Sequence, residues 1–138
     1  MEIRESLLTK SFSVMNEDPY LLALRAMETV ARTEKVVERK NSYESDGPHH
    51  RCTVCFEATD VVDDFSKVVF NFDMFGEDGL LRVNVNGVLD LKIDESGFFS
   101  HNFAEHYANN IFPLLRKISE AKINFFGSLV DSVFSESN

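Results

Sequence analysis

Tryptophan is absent from this chain, and cysteine, proline and glycine are scarce: Trp 0, Cys 2, Pro 3 and Gly 6 in 138 residues. With so few cysteines there is no disulfide framework to read. With so little proline and glycine, collagen-like and linker-like classes are excluded. Long apolar runs are missing too. None approaches the roughly 20 residues that a membrane helix needs, so no membrane span is expected. Positive charge is outweighed, with Lys+Arg 14 against Asp+Glu 23 and a net charge of −9. A nucleic-acid partner is not expected, because binding one requires cations that displace counterions. Glycine-rich phosphate cradles and nucleophile elbows are likewise missing, so no cofactor is expected.

What is present suits one domain over residues 1–138, with enough chain for a real core. The N-terminus is charged from Glu2 to Glu5. That does not fit a secretory signal, and the expected compartment is the cytoplasm.

The stretch from Arg51 to Ile93 carries the clearest pattern. Cys52, Val54, Phe56 and Ala58 alternate with Thr53, Cys55, Glu57 and Thr59. Val68, Phe70, Phe72 and Met74 alternate with Val69, Asn71 and Asp73. Period-2 alternation predicts antiparallel strands with one buried face. Asp63-Asp64 and Gly76-Glu77-Asp78-Gly79 read as turns. Asn86-Gly87 reads as a hairpin tip. A three-residue loop there would pair Val83 with Leu89, Arg82 with Asp90 and Leu81 with Leu91.

Two helices flank this meander. Asp18-Pro19 predicts an N-cap followed by proline at the first helical position. Leu21, Leu22, Leu24, Met27, Val30 and Ala31 supply a core face. The long C-terminal helix opens on Asn102-Phe103-Ala104-Glu105, which fits a capping box. Its apolar stripe is Phe103, Tyr107, Ile111, Leu114, Ile118, Ala121, Phe125 and Leu129. Pro113 predicts a kink or break near Asn109–Ile111. Residues 3–15 and 34–44 admit either strand or helix, with strand favoured over 3–15. Ser42–His50 reads as a surface loop. The fold class is α+β: a curved antiparallel β-meander packed against a long C-terminal helix, with a shorter N-terminal helix.

His49-His50-Arg51-Cys52-Thr53-Val54-Cys55 invites a zinc reading. Residues i and i+3 of a strand point to opposite faces, however, and no second ligand pair exists, so no metal is expected. His101, Glu105 and His106 read as helix-start and near-surface groups. The carboxylate pairs Asp63-Asp64, Glu77-Asp78 and Asp94-Glu95 read as turns. No nucleophile, base or metal set converges, so binding is favoured over catalysis and no catalytic residue is assigned.

Phenylalanine occurs 13 times. This excess suggests either an apolar cavity lined by Phe56, Phe70, Phe72, Met74, Tyr107, Ile111, Leu114 and Ile118, or a homodimer interface formed by Phe126, Val130, Val133 and Phe134. The order of strand, helix, meander and long final helix resembles the helix-grip folds of the START and Bet v 1-like superfamily. That resemblance implies a non-catalytic module holding an apolar small molecule between sheet and last helix. The alternative is a homodimeric interaction module with an aromatic interface and no small-molecule ligand.

Overall fold

The computed structural model describes residues 1–95 and 101–135, except the side chains of Ile118 and Ser135. The chain forms β1 (Glu2–Met15), α1 (Pro19–Ala31), β2 (Lys35–Asp46), β3 (His49–Val61), β4 (Ser66–Glu77) and β5 (Leu80–Lys92). Then come α2 (His101–His106), a π-helical turn (Tyr107–Ile111) and α3 (Phe112–Ser135). The five strands make one antiparallel sheet in the order β1-β5-β4-β3-β2. The α+β class is therefore as expected, and both ambiguous segments are strands.

Consecutive strands β1 and β2 lie at opposite edges of the sheet, and α1 spans from one to the other. Its N-cap is as read: Leu21 N–H donates to Asp18 Oδ1 at 3.1 Å, ahead of Pro19. Its buried face is Leu22, Ala23, Ala26 and Val30, while Leu21 is exposed. The alanines let α1 lie close over β3 and β2. α3 covers the β1/β5 side. Ion pairs tie it down at both margins: Lys10–Asp131 at 2.7 Å, Arg116–Glu5 at 2.7 Å and Lys122–Asp60 at 2.6 Å. No described helix is long and apolar enough to cross a membrane.

Both edge strands carry a bulge, between Ser6 and Leu8 in β1 and between Glu38 and Lys40 in β2. β2 also carries Lys35, Glu38, Arg39, Lys40 and Glu44. Bulges and charges of this kind blunt an edge against pairing with another chain.

Several expectations are corrected. Asn86-Gly87 is not a hairpin tip; it sits in the middle of β5, where Asn86 pairs with Thr9 and Asn71, and Gly87 with Leu8 and Phe70. Gly87 serves close packing. A Cβ there would meet Leu8 Cβ and the Phe70 ring at 3.1 Å. The hairpin turn is Asp78-Gly79, whose φ values of 45° and 85° match the positive-φ requirement of a tight two-residue turn. Asp90 accordingly lies beside Arg4 at 3.8 Å, and Arg82 pairs with Ser13 and Phe75. Ser42–His50 is no open loop but a hairpin that turns on Gly47-Pro48, with Gly47 at φ 58°.

The stripe of α3 is rotated from the one expected. Tyr107, Phe112, Ser119, Ile123, Phe126, Val130 and Phe134 are buried, whereas Leu114 is 60% and Phe125 68% exposed. The cause is Pro113. It has no N–H to give, and the helix widens before it, so that Phe112 N–H donates to Tyr107 O, five residues back. An extra residue in the turn shifts everything after it around the axis. The interruption therefore falls where the sequence placed it, with a consequence the sequence reading did not draw. At the helix start, His101 is already helical, and Glu105 faces His101 Nε2 at 3.2 Å instead of closing a capping box on Asn102.

Candidate functional site

The space between the middle of the sheet and α3 is filled. Phe56 stacks on Phe72 with centroids 4.3 Å apart, Phe70 stacks on Phe126 at 3.7 Å, and Phe126 meets Phe72 edge-on at 5.7 Å. Of the residues expected to line a cavity, Phe56, Phe70, Phe72 and Met74 are buried in this stack or beside it. Tyr107 is buried at the far end. Its hydroxyl donates to Asp63 Oδ2 and lies 3.1 Å from Ser66 Oγ. Burial, then the Asp63 carboxylate, push the Tyr107 phenol up to about 12. Ile111 is half-buried and Leu114 faces outward. The Ile118 side chain lies outside the described part. The expected lining set is thus split between core and surface.

The expected interface set is displaced in the same way. Phe126, Val130 and Phe134 are at most 2% exposed within the single chain, and Phe134 packs on Phe12 at 5.1 Å. Val133 is half-buried beside α1. The expectation counted too few strands. With β1 added beside β5, the sheet is wide enough to bury the end of α3, and no aromatic surplus is left over for a partner on that face.

An open cleft of about 690 Å³ lies instead at one end of the sheet. In a meander, alternate turns emerge at the same end. The β2–β3 turn, the β4–β5 turn and the β1–α1 connection therefore converge there. Asp18, Pro19, Tyr20, Tyr43, His49, His50, Arg51, Cys52 and Asp78 all contribute to its walls.

The walls are braced by contacts across these elements. Tyr43 OH lies 2.6 Å from His50 Nδ1, and the two rings stack at 6.0 Å. The Tyr20 ring leans on Tyr43 at 5.2 Å, and its hydroxyl donates to Asn41 Oδ1 at 2.6 Å. Asp78, at positive φ, reaches across to the neighbouring hairpin. Its Oδ2 lies 3.0 Å from His49 Nδ1, and its Oδ1 accepts from His50 N–H at 3.1 Å. The His49 contact, then the His50 N–H, hold the Asp78 carboxyl below the usual range. Gly76 is the floor. A Cβ there would sit 2.5 Å from Cys52 Sγ and 2.8 Å from Pro19 Cβ.

The two cysteines point to opposite faces, Cys52 pairing with Gly76 and Cys55 with Asp73. Both are free. Burial first of all pushes each thiol above its ordinary range, the reverse of what a reactive thiolate needs. Among the described residues, no group of three or more His, Cys, Asp and Glu side chains is arranged to hold a metal ion. His101 sits between Glu95 and Glu105, with Nδ1 and Nε2 each at 3.2 Å from a carboxylate.

Sequence reasoning singled out the His49–Cys55 segment but missed Tyr20, Tyr43 and the second role of Asp78. The usable signal was topological. The segments around Gly47 and Gly79 had to meet once the hairpins between them were counted. No family model and no curated protein matches this chain.

Proposed function

We propose that the chain is a non-catalytic binding module whose ligand seat is the cleft at the hairpin end of the sheet. The observation that carries this reading is a contrast in filling. The space under α3 is packed by aromatic stacking, while the cleft stays open although its walls are held by hydrogen bonds across three connections. Its volume lies within the few hundred to about 1,000 Å³ of ordinary small-molecule sites. Its make-up fits too: Pro19, Tyr20, Tyr43 and Pro48 offer apolar and aromatic area, and His49, His50, Arg51 and Asp78 offer converging polar groups. The ligand class is a small molecule with a flat apolar body and a hydrogen-bonding end. The raised Cys52 thiol and the absorption of Asp78 into wall contacts favour holding over reacting.

The test is a fluorescence titration with anilinonaphthalene sulfonate, a flat apolar probe with one polar group. Saturable binding is expected in the wild type and is expected to be lost in Tyr43→Ala. Binding lost in Phe72→Ala but kept in Tyr43→Ala would return the seat to the sheet–helix space. No saturable binding would count against a ligand seat of this class.

A further inference from the structure

The outward face of α3 combines apolar knobs, an apolar hole and unbalanced charge. Leu114 and Phe125 are 60% and 68% exposed, and Ala121 between them is exposed as well. These positions are four and seven residues apart, so they share a face. Beside them runs a groove of about 330 Å³, with Val68, Phe70, Ala121 and Phe125 as its apolar lining. Its polar lining is Glu34, Asp60 and Lys122. Lys122 is drawn to Asp60 at 2.6 Å, so two carboxylates face one ammonium there. Burial, then Asp60, raise Glu34 above the ordinary carboxylate range, with Lys122 opposing them in part. One helical turn before Ala121, exposed Lys117 makes no ion pair with another described residue.

We propose that this face binds a second copy of the chain through antiparallel contact of the two α3 helices, with Lys117 of each copy set against Glu34 and Asp60 of the other. A two-fold contact must be self-complementary, and this surface has both halves of the match. With the axis passing between residues 119 and 120, Leu114 of one copy meets Phe125 of the other and enters the groove beside it. The same register brings Lys117 level with Lys122 of the other copy, within reach of the carboxylate that Lys122 does not hold. Ala121 near the centre lets the helices approach. The charge pattern also explains why this face, on a chain of net charge −9, is open to self-association. Its exposed charges between Leu114 and Phe125 are Lys117, Glu120 and Lys122, so this stretch does not carry the acidic excess of the whole chain.

Light scattering at tens of micromolar tests the proposal. The wild type is expected at twice the chain's 15.7 kDa. Phe125→Glu is expected at the single-chain mass with unchanged circular dichroism, because the ring it removes is already in water. Lys117→Glu is expected to weaken association by about tenfold or more by placing a third carboxylate in the groove. Combining it with Glu34→Lys restores the dimer. A wild-type mass of 15.7 kDa would overturn the proposal. So would a dimer indifferent to Phe125→Glu, or one that the charge swap fails to restore.

Discussion

The middle of the sheet and its hairpin end are built from the same strands, yet one is filled and the other is open. In the middle, Phe56, Phe70, Phe72 and Phe126 stack ring against ring. At the end, the strands run past the helices, and the turns rise around a floor that Gly76 keeps bare. The difference lies in what satisfies each surface. Aromatic rings in the middle need no hydrogen bonds and pack against one another. Tyrosine, histidine and aspartate at the end must keep polar partners, and the bonds they make hold the walls apart. Stacked phenylalanines therefore mark the core of this chain, and mixed aromatic and polar chemistry marks its candidate site.

The largest effect is expected where the filling is tightest. Phe126→Ala removes a ring buried between Phe70 and Phe72, and should cost about 3–5 kcal/mol in chemical denaturation. A loss below about 1 kcal/mol would mean that the middle is loosely packed, and the contrast would fail. Gly76→Ala probes the floor at the open end. Its new methyl collides with Pro19 and Cys52, and a cost of about 1–3 kcal/mol is expected from overpacking. The same variant should impair probe binding, because both displaced residues line the cleft. Ser119 sharpens the account of the filled region. It is 1% exposed, and its Oγ has no hydrogen-bond partner among the described residues. Ser119→Ala should therefore raise stability, by about 1 kcal/mol.

The smallest effect concerns pH at the open end. The folded-state pKa of Asp78 is depressed by His49 and the His50 N–H. Its contribution is present in full above the unfolded value and is lost as pH falls through the folded one. Asp78→Asn should therefore lower the neutral plateau slightly and flatten the acid limb of the stability curve, so that variant and wild type converge at low pH. An identical acid limb in the variant would mean that the carboxylate is not held in this way.

How much of this was legible depends on the range of the signal. Strands β3 and β4 could be read from alternation, and the start of α1 from Asp18-Pro19, because these signals lie within a few residues of their effect, whereas β5 was divided into two strands of a hairpin. Asn86-Gly87 misled because a glycine needed for close approach to Phe70 looks the same in sequence as one needed for a turn. The buried face of α3 was misread because the π-helical turn before Pro113 rotates every later position, and a fixed 3.6-residue period does not carry that rotation. The interface residues Phe126, Val130 and Phe134 were misassigned because pairing between Glu2–Met15 and Leu80–Lys92 is long-range, and the sheet looked narrower without it. In the candidate site, the His49–Cys52 segment drew notice for its residue types. Tyr20, Tyr43 and Asp78 needed the topology before they could be brought to it.

The central claim is that the seat is the hairpin-end cleft and not the sheet–helix space. Backbone amide shifts recorded during titration with anilinonaphthalene sulfonate test it most directly. The account predicts saturable shifts in the segments around Gly47 and Gly79 and at the start of α1, with residues 70–72 and 123–126 unmoved. Shifts concentrated in 70–72 and 123–126, with the turns silent, would contradict it.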